Sequence, residues 1–191
     1  TMALAMQACA QVGIKFLVLD RPNPIGGIQV EGGGIAQGME NFCGLYSIPQ
    51  RHGMSVGELA KLYNTHFGIG CELEVISCDT WQRKTYFDAH SLPWVMPSPN
   101  MPTLETAIVY PGLGLFEGTN ISEGRGTTRP FELFGAPFIN ASQLKRELEN
   151  LKLPGVFFRT CTIMPTFHKY QNEICLISGS LYLIGEVLNL N

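Results

Sequence analysis

At 191 residues the chain is long enough for one domain, or for one domain and part of another. Thirteen basic residues against sixteen acidic ones give a net charge of −3, which leaves no basic field to hold nucleic acid or an anionic membrane. Apolar residues make up 45% and charged residues 15%, too apolar for disorder, yet no apolar run reaches the ~20 residues that span a bilayer.

The first fifteen residues place Leu4, Ala5, Ala8, Cys9 and Val12 at helical spacing. No basic segment precedes this apolar stretch, so it reads as a helix and not as an export signal. A chain rarely opens in the middle of a helix, and the expectation is a fragment of a longer protein. Gly13 offers a stop. Residues 14–19 form an unbroken apolar run apart from Lys15, the pattern of a strand buried on both faces of a parallel sheet.

Asp20-Arg21-Pro22-Asn23-Pro24 then stands at the strand's carboxyl end, where open α/β sheets take their ligands. The glycines that follow, Gly26, Gly27 and Gly32 to Gly34, fit neither glycine-rich phosphate signature, which leaves a nucleotide-binding reading without support. Ser55 and Glu58 have the spacing of a capping box and open a helix to about Phe67. Residues 71–78 alternate as a strand. The four prolines of residues 92–102 make that stretch a loop. Thr103 starts a helix to about Tyr110, residues 142–151 form another, and 156–163 a further strand, while 174–187 fits either type. Strands alternating with helices predict an α/β fold. The six cysteines show no metal-ligand spacing and are expected to be packed or incidental thiols.

Residues 117–129 are the most informative segment. Glu117, Asn120, Glu123, Arg125, Thr127 and Arg129 lie on backbone loosened by three glycines, just beyond a predicted helix. Such a loop suits a sugar and its charged substituents; the alternative is internal Glu–Arg pairing that only shapes the loop. Asp20, Arg21 and Asn23, and likewise Ser98 and Asn100, are polar groups held by neighbouring prolines. Arg51 and His52 precede the capped helix. Trp81 and Trp94 are expected in the core, and no role follows for His66, His90 or His168.

Five blocks in fixed order, DRPNPIGG (20–27), IPQRHGMSVGELA (48–60), LPWVMPSPNMPTLETAIVYPG (92–112), EGTNISEGRGTTRPFELFGAP (117–137) and PTFHKY (165–170), closely resemble the bacterial family once known as domain of unknown function 1343. That family includes the exo-β-N-acetylmuramidases of glycoside hydrolase family 171, the NamZ-type enzymes. The resemblance implies a Rossmann-like domain followed by a smaller mixed α/β domain, with the active site in the cleft between them. On that reading residues 1–27 are the remnant of the first domain and 28–191 the second. After Tyr170 the sequence diverges from the family pattern.

The implied function is a peptidoglycan exo-glycosidase that releases N-acetylmuramic acid from non-reducing ends, without cofactor or metal, in an exported periplasmic or extracellular parent. The fragment alone is then expected to be inactive, because a catalytic carboxylate is implied to lie in the missing region. A non-catalytic carbohydrate-binding or scaffold domain is the alternative. Within this chain Glu123, Glu117 and Asp20 are the carboxylate candidates for acid–base or nucleophilic work. Arg125 is expected to read the lactyl carboxylate of muramic acid through its planar fork, with Arg21 and Arg51 next. Asn23, His52, Ser98, Asn100, Asn120 and Thr127 complete the expected sugar contacts. The partners are muropeptides or peptidoglycan fragments.

Overall fold

The computed structural model describes residues 1–164 and the backbone of the strand at 174–180. The fold is mixed α/β, as the alternation of elements predicts. The chain forms two compact units, Thr1–Pro93 and Trp94–Asn191.

In the first unit, helix α1 (Met2–Val12) ends at Gly13, which takes the left-handed conformation. Strand β1 (Phe16–Leu19) pairs in parallel with β2 (Leu73–Ile76), Phe16 opposite Leu73 and Leu19 opposite Ile76. Between them runs α2 (Val56–Thr65), opened by the predicted capping box. The Ser55 hydroxyl accepts from the Glu58 N–H at 3.2 Å, and the Glu58 carboxylate accepts from the Ser55 N–H at 3.0 Å. Both helices lie on one face of the sheet, where Met6, Val18, Ala60 and Cys71 are buried and Phe16, Tyr63, Leu73 and Val75 pack against them. The chain therefore divides after Pro93 and not after Gly27. Parallel pairing of β1 with β2 across the intervening helix makes residues 28–93 inseparable from the first strand.

In the second unit, α3 (Leu104–Leu113) starts at Thr103, whose hydroxyl accepts from the Thr106 N–H. It runs through Pro111, three residues beyond its expected end, into a 3₁₀ turn (Gly114–Gly118). A short strand β3 (Leu133–Gly135) follows the polar loop. Helix α4 (Ala141–Asn150) is capped by Asn140, and β4 (Phe157–Ile163) comes next. Strand β5 (Ile174–Ser180) pairs antiparallel with both β3 and β4, giving the order β3-β5-β4, and α4 packs against β4. Leu133 is buried here against Cys161 and Ile163. The block at 165–170, His168 included, and the tail beyond 180 lie outside the described residues. Among the described residues no helix is long and apolar enough to cross a membrane.

Candidate active site

In the second unit the polar loop is closed at its neck. Ser122 and Gly135 exchange backbone hydrogen bonds at 2.8 and 3.0 Å, which ties the loop to β3. Inside the neck the chain turns sharply twice. Gly124 has φ +81°, and a Cβ on it would stand 2.5 Å from the Leu133 carbonyl oxygen, so glycine is required there by conformation and by space. Phe131 is also left-handed, at φ 63°, which costs a bulky L-residue roughly 1–2 kcal/mol. It is held there by the bond from its N–H to the Glu123 carbonyl at 2.6 Å, by the Tyr110 ring edge-on at 4.8 Å, and by burial to 1% exposure.

These turns set the charged groups. The Glu123 side chain is 1% exposed and meets the Arg125 guanidinium at 3.3 Å. The same guanidinium pairs with the part-exposed Glu117, carried on the 3₁₀ turn, and lies over the Phe131 ring at 5.4 Å. Arg125 thus bridges one carboxylate withdrawn from water and one at the surface, with an aromatic floor beneath it. This is the internal Glu–Arg pairing that stood as the alternative to a free sugar-reading arginine. Thr127 serves the loop backbone, its hydroxyl donating to the Gly124 carbonyl at 2.7 Å and accepting from the Arg129 N–H. Asn120 is exposed before the neck. Ser98 accepts from the Asn100 N–H at 3.2 Å, so this pair forms a local turn.

A second buried carboxylate, Glu132, carries no signal in the sequence beyond its three-residue spacing from Arg129. It is 5% exposed, accepts from the fully buried Thr106 hydroxyl at 2.7 Å and pairs with Arg129 at 2.7 Å. Phe131, Thr106 and Tyr110 were equally silent, because a left-handed aromatic and a buried threonine have no pattern of their own.

In the first unit Asp20 sits at the carboxyl end of β1. Its oxygens accept from the Ser55 hydroxyl at 2.9 Å, the Gly57 N–H at 2.6 Å and the Arg21 N–H at 2.9 Å. The carboxylate thereby fastens the end of β1 to the first turn of α2, favoured by the helix dipole. Gly57 lets that turn come close: a Cβ there would lie 2.5 Å from a Val75 methyl. Asn23 donates to the Met54 carbonyl and accepts from the Ile25 N–H, an Asx turn. Arg51 pairs with Glu31 at 2.6 Å and also donates to the Ile25 carbonyl and the Tyr86 hydroxyl. Nδ1 of His52 accepts from the Met54 N–H at 3.1 Å, and burial pushes the imidazole below its usual range. Arg21 is exposed. Trp81 is half-buried beneath the Arg83 guanidinium, 4.9 Å from the ring centre. Among the described residues no three His, Cys, Asp or Glu side chains gather as a metal site.

The closed Glu–Arg loop of the second unit and the carboxylate-capped strand end of the first lie within the blocks at 117–137 and 20–27. The chain belongs to the exo-β-N-acetylmuramidase NamZ family, whose N-terminal model matches residues 1–105 and whose C-terminal model matches 108–177. It is 55% identical over 175 residues to the peptidoglycan β-N-acetylmuramidase NamZ of Bacillus subtilis (strain 168), covering 92% of this chain and 42% of that protein. Two crystal structures of DUF1343 family proteins from Bacteroides fragilis NCTC 9343 share the fold. One has a TM-score of 0.86 at 34% identity over 94% of this chain and 48% of its own. The other has a TM-score of 0.72 at 31% identity over 98% and 49%. The chain therefore spans about half the length of the relatives it matches.

Proposed function

We propose that this chain is the portion of a peptidoglycan exo-glycosidase that carries the Glu123–Arg125–Glu117 loop, in a protein that releases N-acetylmuramic acid from non-reducing ends. The observation that carries the reading is Glu123, a carboxylate 1% exposed and opposed by a guanidinium, within a segment the family model matches. Glycoside hydrolysis needs a carboxylic acid to protonate the leaving oxygen, and a second carboxylate or a substrate group as base or nucleophile. Glu123 and Glu117 stand in contrasting surroundings, one dry and one wet, on a single positioning arginine. Arg125, seated over the Phe131 ring, pairs with both carboxylates and offsets the charge that burial of Glu123 would otherwise leave uncompensated. Peptidoglycan lies outside the cytoplasm, which supports an exported parent.

The test is a chimera in which this chain replaces the matching stretch of the Bacillus subtilis relative, assayed on a chromogenic β-N-acetylmuraminide. The chimera is expected to turn over, the chain by itself is expected not to, and Glu123→Gln in the chimera is expected to lower kcat by roughly 10²–10⁴-fold. A kcat within about threefold of the unaltered chimera removes Glu123 from the catalytic set. Muropeptide binding with no turnover by the chimera would instead favour a non-catalytic carbohydrate-binding domain.

A further inference from the structure

The polar loop of the second unit enters the left-handed region at Gly124, Gly126 and Phe131, with φ of 81°, 81° and 63°. Glycine makes such a turn at no steric cost, and a loop that had only to close would carry glycine at the third turn as at the first two. The aromatic side chain at 131 is instead kept against the preference of its backbone. Strain of this kind gathers where a functional group has to be held in one place.

Phe131 touches both halves of the buried ion pair. Its N–H donates to the Glu123 carbonyl at 2.6 Å, which fixes the main chain that carries the carboxylate. Its ring lies under the Arg125 guanidinium at 5.4 Å, which fixes the plane of the group that meets that carboxylate at 3.3 Å. Arg125 is shared with the part-exposed Glu117, and the ring keeps the guanidinium from turning wholly to that wetter side. Phe131 is itself seated on α3. Thr106 and Tyr110 stand four residues apart on that helix and so share a face. The Tyr110 ring meets the Phe131 ring edge-on, and the Thr106 hydroxyl donates to Glu132, the next residue, at 2.7 Å. Arg129 holds Glu132 from the other side, also at 2.7 Å. Contacts thus run unbroken from a regular helix through Phe131 to Glu123.

We propose that Phe131, seated on α3, is a positioning residue for Glu123, holding the carboxylate's main chain and the guanidinium's plane in one arrangement. This rests on the reading of Glu123 as a group of the hydrolytic site. The experiment uses the chimera with the Bacillus subtilis relative and follows kcat and KM per folded enzyme, the folded fraction being read by circular dichroism at the assay temperature. Phe131→Leu keeps an apolar side chain without the ring; kcat should fall about 10–100-fold, the scale of a misplaced reacting group, with KM within about twofold. In a Glu123→Gln background the same replacement should cost less than about twofold more, because the carboxylate through which it acts is gone. Tyr110→Leu, at a part-exposed position, should lower kcat in the same direction, and Tyr110→Phe, which keeps the ring edge, should restore it. If Phe131→Leu does not fold, the Tyr110 pair decides alone. An unchanged kcat in the leucine variants beside a crippled Glu123→Gln overturns the positioning role and leaves the reading of the site standing. A full-sized loss from Phe131→Leu in the Glu123→Gln background also overturns it. A Glu123→Gln chimera within about threefold of the unaltered one overturns both.

Discussion

Gly124→Ala tests the geometry of the loop with no reference to activity. Two penalties apply at that position. The φ of +81° is one an alanine adopts at a cost of about 1 kcal/mol. The added methyl also stands 2.5 Å from the Leu133 carbonyl oxygen and 3.2 Å from that of Arg129, both backbone atoms that cannot swing aside. Relieving such a contact by backbone movement costs about 1–3 kcal/mol, so the substitution should destabilise the chain by about 2–4 kcal/mol. Gly155→Ala isolates the first penalty. Its φ is +73°, but nothing lies within 4 Å of an added Cβ, so only about 1 kcal/mol is expected. Urea unfolding of both variants followed by circular dichroism gives the two values, with constant m-values as the check on the denatured state. Equal losses at the two glycines would refute the close approach of Gly124 to β3, and with it the placement of Glu123.

Three further outcomes are expected. Asp20→Ala removes a carboxylate that accepts three hydrogen bonds, at a cost of roughly 2–4 kcal/mol, seen as a lowered urea midpoint; a change under about 0.5 kcal/mol would detach Asp20 from the β1–α2 junction. Burial holds the His52 imidazole below the usual histidine range, so the unfolded chain takes up its proton first as pH falls. Stability present above about pH 6.5 should therefore be lost as pH drops toward the folded-state value, and His52→Asn, whose amide oxygen can still accept from Met54, should flatten that slope in denaturation measured against pH. In the chimera, Arg125→Lys keeps the charge but loses the fork that reaches both glutamates; kcat/KM should fall by roughly 1.5–3 kcal/mol, equally on N-acetylmuraminides and N-acetylglucosaminides. A loss confined to muraminides would assign Arg125 to the lactyl carboxylate.

The features legible in the sequence are those set by neighbours along the chain. Ser55 and Glu58 announce α2 three residues apart, and both arms of the box form. Gly13 closes α1, and the apolar run before Asp20 becomes β1, though paired only from Phe16. What depends on partners distant in the chain is not written locally. Strand β3 is three residues long and exists because β5 and Ser122 pair with it. Pro111 reads as a helix breaker, yet α3 runs through it to Leu113. The loop at 117–129 shows its chemistry but not its pairings: nothing in the spelling says that Arg125 reaches back to Glu117 as well as Glu123, or that Glu132 lies buried against Thr106.

The closed neck at Ser122 and Gly135 has a consequence for how the loop changes over generations. Within it Glu123, Arg125, Thr127, Arg129, Phe131 and Glu132 each answer to a partner inside the loop or beside it, and Thr128 is exposed. Most single replacements there strand the partner left behind. Inheritance of the loop is accordingly epistatic: position 129 is expected to vary with 132, and 125 with 117 and 123, while 128 drifts alone. Among descendants of one ancestor such a loop passes on whole, or is rewritten in matched pairs.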